Sequence, residues 1–301
     1  MTLTAILLIV TAACAHVAWN FVGKKHHPNL PFFAVALVFG NILLSPIVVW
    51  NVSLFVVIPP QVWGCLLLTS CFQALYMTGL VGAYQSGHLS VAYPLARAIP
   101  VLLVALIRVV WSGAPLHTGL YAGGFLIVIG VLLLPLPTFS DWHWGHYRNR
   151  SCLFALIAAV GTTGYSIIDD HALHLFRAVP ESGDNPVPLT IVYAFLESTF
   201  TFLWLLPWIL THKIRRLEAK VILLRHWKAM FVTSGGMILG YLLILISLAY
   251  VDDVAYVVAF RQLSIPLGAL VGIVLLGEPA HRPKVVGVGL MFVGLVWVAL
   301  G

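Results

Sequence analysis

Charge is scarce in this sequence. Only 9% of its 301 residues are Asp, Glu, Lys or Arg, against about 25% in an ordinary soluble domain. With 61% of the chain hydrophobic, a soluble fold could not cover its own surface with polar groups, so that class is excluded. Cysteine is sparse too: Cys14, Cys65, Cys71 and Cys152. All four lie in or at the ends of apolar runs without paired spacing, which suits small apolar fillers better than disulfides or metal ligands. Enzyme signatures are missing as well. There is no Gly-x-Ser-x-Gly, no His-Glu-x-x-His, no Gly-rich loop ending in Gly-Lys-Ser/Thr and no Cys-x-x-Cys. The expectation is a protein that is not an enzyme and uses no cofactor and no metal. No Lys or Arg precedes the first apolar run, which therefore reads as a retained span rather than a signal peptide.

What the chain does have is long apolar runs. Ten of them predict transmembrane helices at about 3–22, 31–50, 61–83, 89–111, 117–135, 152–169, 189–210, 229–250, 254–276 and 284–300. Each can cross about 30 Å of hydrocarbon, and none alternates with the period of a barrel strand. The formal net charge of +6 lies mostly in short loops between these runs, which argues against nucleic acid as a partner. Loops after the first, fifth, seventh and ninth runs hold twelve Lys and Arg; the opposite side holds Arg108 and Arg177. That bias places the first set in the cytoplasm and both termini outside, with a bacterial inner membrane as the expected setting. The longest basic loop, 213–228, puts Ile214, Leu217, Val221 and Leu224 on one helical face. It predicts an interfacial helix on anionic lipid or, less simply, a partner-docking helix.

The chain repeats itself. Arg97, Gly113, Pro115, Gly123 and Gly130 recur 164 positions later as Arg261, Gly277, Pro279, Gly287 and Gly294. Val91-Ala92-Tyr93 returns as Val254-Ala255-Tyr256, and Thr69-Ser70 as Thr233-Ser234. Ala12-Ala13 and Trp19 match Ala158-Ala159 and Tyr165 at an offset of 146. The unit is five helices, 1–137 and 150–301, joined by a cytoplasmic linker at 138–149. An odd number of spans inverts the second unit in the membrane, so the expected fold is an all-α membrane protein of ten transmembrane helices in two inverted five-helix repeats.

Ionisable groups inside apolar runs mark candidate sites, because they are costly there. Arg97 and Arg261 sit near the middle of their runs. They suit a substrate carboxylate, phosphate or phosphonate, or else pair within the protein, for example with Glu197. Glu197 reads as the one acidic residue well inside a run and is a candidate for proton coupling or for salt bridging. His16 is a second proton-coupling candidate, or a histidine satisfied by a neighbouring helix. Tyr93, one turn before Arg97, together with the repeat-related Trp19 and Tyr165, would line a substrate cavity or simply pack. Pro94, Pro100 and Pro266 allow kinks that free carbonyls. Asp169-Asp170-His171-Ala172-Leu173-His174 has ligand-like spacing but sits at the expected outer end of the sixth span, with no matching set elsewhere.

Ala92-Tyr93-Pro94-Leu95-Ala96-Arg97 with Pro100, and Phe260-Arg261-Gln262-Leu263-Ser264 with Leu276-Gly277-Glu278-Pro279, resemble the EamA branch of the drug/metabolite transporter superfamily. The similarity covers nearly the whole chain and is most specific in the final helix pair. It implies duplicated five-helix units and export or exchange of small metabolites, including amino acids in some members. Members often carry Gly-Glu before the last helix of each unit; here the second has Gly277-Glu278 and the first Gly113-Ala114, so Glu278 reads as a turn residue. The small multidrug relatives use a glutamate in their first helix, and this chain has none there. The expected function is a secondary transporter of a small polar metabolite, such as an amino acid or organic anion, working by alternating access. The substrate and membrane lipids are its partners, and its oligomeric state is open. A flippase for a phosphate-bearing lipid-linked substrate and a proton-coupled exporter of cationic or aromatic drugs remain alternatives.

Overall fold

The computed structural model describes residues 2–24, 29–86, 118–133, 138–141, 150–180, 185–265 and 280–300, with isolated positions between them. Among these residues the regular structure is helical. The longer helices are α1 (Leu3–Lys24), α2 (Leu30–Trp50), α3 (Pro60–Ser86), α4 (Thr118–Leu133) and α5 (Arg150–Arg177). They continue as α6 (Pro186–Leu210), α7 (Lys213–Arg225), α8 (Trp227–Ser247), α9 (Val254–Phe260) and α10 (Arg282–Leu300). Five segments are long and apolar enough to cross a membrane: Leu30–Trp50, Pro60–Ala83, Cys152–Arg177, Pro186–Leu210 and Met230–Tyr250. Shorter apolar helices cover Leu3–Ala18, Tyr121–Leu133 and Val254–Leu263. This architecture fits an all-α membrane protein. The expected span at 89–111 falls largely outside the described residues.

Local chemistry explains where several helices begin. Asn29 caps α2, its Oδ1 accepting from the Phe32 amide at 2.9 Å, and proline occupies the first turn, where a missing N–H is harmless. Asn185 does the same for α6, accepting from the Val187 amide at 3.0 Å, with Pro186 next in sequence. Asp253 caps α9 through the Ala255 amide at 2.8 Å. Gly183, at φ +79°, supplies the left-handed turn between α5 and α6.

One boundary differs from the expectation. The sixth span was expected to end near residue 169, yet α5 continues to Arg177. Nothing between Asp169 and Arg177 breaks a helix. Asp169, Ala172, Leu173 and Phe176 are all buried at the spacing of one helical face.

The chain forms two compact units. One combines Thr2–Met77 with Gly164–Tyr250, and the other combines Thr78–Thr163 with Val251–Gly301. In the second, α4 packs on α10 through glycine. A Cβ on Gly123 would lie 2.5 Å from the Gly294 oxygen, and one on Gly130 would lie 2.6 Å from the Gly287 oxygen. Position falls on one helix as it rises on the other, so the pair is antiparallel. Because Gly123 corresponds to Gly287 and Gly130 to Gly294, the contacts are reciprocal: each glycine meets the counterpart of the other. A two-fold relation between the matching segments would give contacts of this kind. In the first unit α1 lies on α8 and α2 on α6. α3 meets α5 there through Phe72 against Gly164 and through Tyr76 against Tyr165. By the sequence offsets, the α3–α5 pair is the counterpart of α8–α1.

Candidate functional site

The first unit has a polar interior built around Asp169. Its carboxylate is 1% exposed and is gripped from three helices. Thr69 on α3 donates to Oδ1 at 2.6 Å. Tyr193 on α6 donates to the same oxygen at 2.8 Å. Tyr241 on α8 donates to Oδ2 at 2.7 Å. Hydroxyl-to-carboxylate bonds of this length are charge-assisted and about twice as strong as neutral ones. Donors from three helices fix the carboxyl group in position.

A second acid lies in the same interior. Glu197 on α6 is 1% exposed, and both it and Asp169 lie within electrostatic reach of the Tyr193 and Tyr241 hydroxyls. Helical spacing builds the arrangement twice. Tyr165 precedes Asp169 by four residues on α5, and Tyr193 precedes Glu197 by four on α6, so each acid shares a face with a tyrosine. The Tyr165 ring meets Tyr76 edge-on at 5.9 Å and Tyr241 edge-on at 6.3 Å. Beside Glu197, the Ser198 hydroxyl donates to Asn41 Oδ1, while Asn41 Nδ2 donates to Thr199 Oγ1 at 2.9 Å. Asn41 thereby ties α2 to the stretch of α6 that carries the glutamate.

Further polar capacity lines the same helices. The Gln73 side-chain oxygen and the Ser166 hydroxyl are buried without a hydrogen-bond partner. Gln73 is one turn after Thr69, and Ser166 is one turn before Asp169. Buried polar groups are normally satisfied, and those left open tend to serve a ligand, a water or a proton. His16 on α1 is also buried, its ring 3.3 Å from where a Cβ on Gly240 would stand.

The structure therefore brings together Tyr165, Glu197 and His16 in one compact unit, and adds Asp169, Tyr193, Tyr241 and Thr69. Reading Glu197 as the one deep acid needs correction, because the longer α5 carries Asp169 inside as well. His171 and His174, which share its ligand-like sequence spacing, are exposed while Asp169 is buried. Arg261 belongs to the other compact unit, where it is 7% exposed in a short 3-10 turn at the end of α9. Arg97 and Tyr93 lie outside the described residues. Trp19 lies on α1, but its side chain falls outside them too.

No family model and no curated protein matches the chain. A solved crystal structure that carries no functional description aligns with 100% of this chain and 98% of its own. The TM-score is 0.66 at 18% sequence identity. The likeness shows a shared fold and nothing of function.

Proposed function

We propose that the chain is a secondary transporter of the drug/metabolite type, with ten spans in two inverted five-helix repeats, which moves a small polar metabolite by alternating access. In this reading Asp169 and Glu197 form its proton-coupling pair. The observation that carries it is two fully buried carboxyl groups within helices apolar enough to cross a membrane. Ionisable groups at such places are expensive and usually serve transport. The buried charged residues of this unit are both acidic among the described residues. Taking up or releasing a proton changes the charge of such a pair, which lets a proton gradient drive a substrate. The reciprocal, antiparallel α4–α10 contact supports the inverted repeat.

Two acids set among Tyr76, Tyr165, Tyr193 and Tyr241 favour a second reading for the cargo. Carboxylates and aromatic faces both attract cations, so a cationic or aromatic compound suits this interior. Arg261, buried in the other unit, keeps an amino acid or organic anion as the alternative cargo.

The test is proton flux in sealed liposomes holding a pH-sensitive dye. Cationic, zwitterionic and anionic metabolites are added in turn. A metabolite that moves protons with the wild type should fail to do so with Glu197→Gln and with Asp169→Asn. Metabolite-dependent proton movement that survives both substitutions would remove the pair from the mechanism. Metabolite uptake that ignores the pH gradient would remove proton coupling altogether.

A further inference from the structure

A groove of about 390 Å³ opens in the first unit between α2, α7 and the start of α8. This volume lies in the range of small-molecule sites, which are mostly apolar with a few convergent polar groups. Phe32, Leu217, Val221 and Met230 supply apolar walls. Four polar residues line it as well: Asn29, Glu218, His226 and Thr233.

Polar contacts fix the helices that wall the groove. Asn29 works twice: its Oδ1 caps α2, and its Nδ2 donates to Glu218 Oε2 at 3.0 Å, fastening α7 beside α2. On its other side α7 is fixed to the end of α6. Arg215 donates to the Trp208 carbonyl at 3.2 Å and lies 4.8 Å above the Trp208 ring. Thr233 is 1% exposed, yet its hydroxyl has no hydrogen-bond partner. It is the repeat counterpart of Thr69, whose hydroxyl holds Asp169. Position 23, the counterpart of Asp169 at the offset of 146, is glycine and offers no carboxylate.

Charge selects the occupant. α7 carries Lys213, Arg215, Arg216, Lys220 and Arg225, and none of them lines the groove. Its single carboxylate, Glu218, does. A strongly basic helix thus turns an acidic and apolar face inward. A buried hydroxyl and a carboxylate with a spare oxygen favour a hydrogen-bond donor that is positively charged.

We propose that this groove binds a small amphipathic organic amine, whose ammonium pairs with Glu218 and whose apolar body lies between Phe32, Leu217, Val221 and Met230. Thr233 accepts a further hydrogen bond from the ligand. The site is separate from the Asp169–Glu197 pair and does not rest on proton coupling, since binding is read without any gradient.

The experiment uses the purified full chain in zwitterionic lipid nanodiscs and measures binding by calorimetry. The probes are 2-phenylethylamine, the neutral 2-phenylethanol and the anionic 3-phenylpropionate. The amine is expected to bind at least about tenfold more tightly than either, the worth of one charge-assisted bond. Glu218→Gln keeps an oxygen for Asn29 and removes only the charge, so the fold should hold while amine binding weakens about tenfold. Thr233→Val should weaken it as well. Equal binding of all three probes, or unchanged amine binding in Glu218→Gln, would overturn the proposal. So would a groove filled by phospholipid that the amine does not displace. Loss of binding in Asp169→Asn with retention in Glu218→Gln would move the amine to the buried pair and equally overturn the groove.

Discussion

The α4–α10 crossing makes a demanding prediction. A Cβ on Gly130 would sit 2.6 Å from the Gly287 oxygen and 3.0 Å from the Met291 nitrogen. A Cβ on Gly123 would sit 2.5 Å from the Gly294 oxygen and 3.0 Å from the Val298 nitrogen. These obstacles are backbone, so no rotamer change relieves them. Restoring a 3.4 Å contact from 2.6 Å requires the helices to part by about 0.8 Å, and a gap of that size forfeits roughly a quarter to a half of each dispersion contact along the seam. Overpacking of this kind costs about 1–3 kcal/mol. The better helix propensity of alanine returns at most about 1 kcal/mol. Alanine at Gly123, Gly130, Gly287 or Gly294 should therefore lower the melting temperature of the purified protein. Alanine at Gly289, where a Cβ meets nothing within 4 Å, should leave it unchanged or raise it. Repeat-related positions should behave alike, Gly123 with Gly287 and Gly130 with Gly294. Gly130→Ala with Gly287→Ala should cost less than the sum of the two, because one separation relieves both clashes. If Gly130→Ala and Gly287→Ala melt like Gly289→Ala, the close antiparallel crossing is wrong, and with it the strongest support for the two-fold relation.

Two further outcomes follow from local geometry. Asn29→Ala should cost about 1 kcal/mol for the lost cap and loosen α7. Asn29→Asp keeps the cap but sets a carboxylate against Glu218, so it should spare α2 while making the region around α7 more sensitive to protease. Equal behaviour of the two variants would mean that the Asn29–Glu218 bond does not hold α7. Gly79→Ala would press a Cβ to 2.6 Å from the Ala158 nitrogen, whereas Gly240→Ala meets only the His16 ring at 3.3 Å. The first should destabilise by about 1–3 kcal/mol. The second should be mild, since an imidazole can shift, and His16→Ala should remove what remains of its effect. Thermal melts of the three variants rank them directly.

Glycines and an arginine that recur at one offset suggested the repeat in the sequence, and in the structure four of those glycines form the α4–α10 seam. The helix at 213–225 was legible from its two faces; that its apolar side borders a groove was not, because the groove also needs α2 and α8. Asp169 was misplaced for a physical reason. Asp169-Asp170-His171 reads as a polar helix end when residues are taken in order. Taken by helical face, Asp169 falls in line with Ala172, Leu173 and Phe176, and the apolar stripe continues past it. The tyrosine four residues before each acid was the other available signal. The donors on α3, α6 and α8 come from three distant parts of the chain, and no spacing rule joins them.

One substitution made at two positions 164 residues apart, Thr69 and Thr233, tests the expected repeat at this interior. Thr69 and Thr233 match at the sequence offset of the expected repeat, and both are buried. The Thr69 hydroxyl donates to Asp169 at 2.6 Å, whereas the Thr233 hydroxyl has no partner and borders the groove. Valine has nearly the shape of threonine without the hydroxyl. Thr69→Val removes a donor from a buried carboxylate, which should destabilise by about 1.5–3 kcal/mol because the bond is to a charged group. Thr233→Val removes a hydroxyl that had nothing to bond, so it should be neutral or stabilising, as burying an unsatisfied polar group is itself unfavourable. Thermal unfolding without ligand measures both. Equal destabilisation would mean that Thr233 holds a partner like that of Thr69, and the asymmetry between a filled acidic site and an open groove would fall. Opposite signs would show that the two matching hydroxyls are used differently, on one side to hold an acid and on the other to leave room.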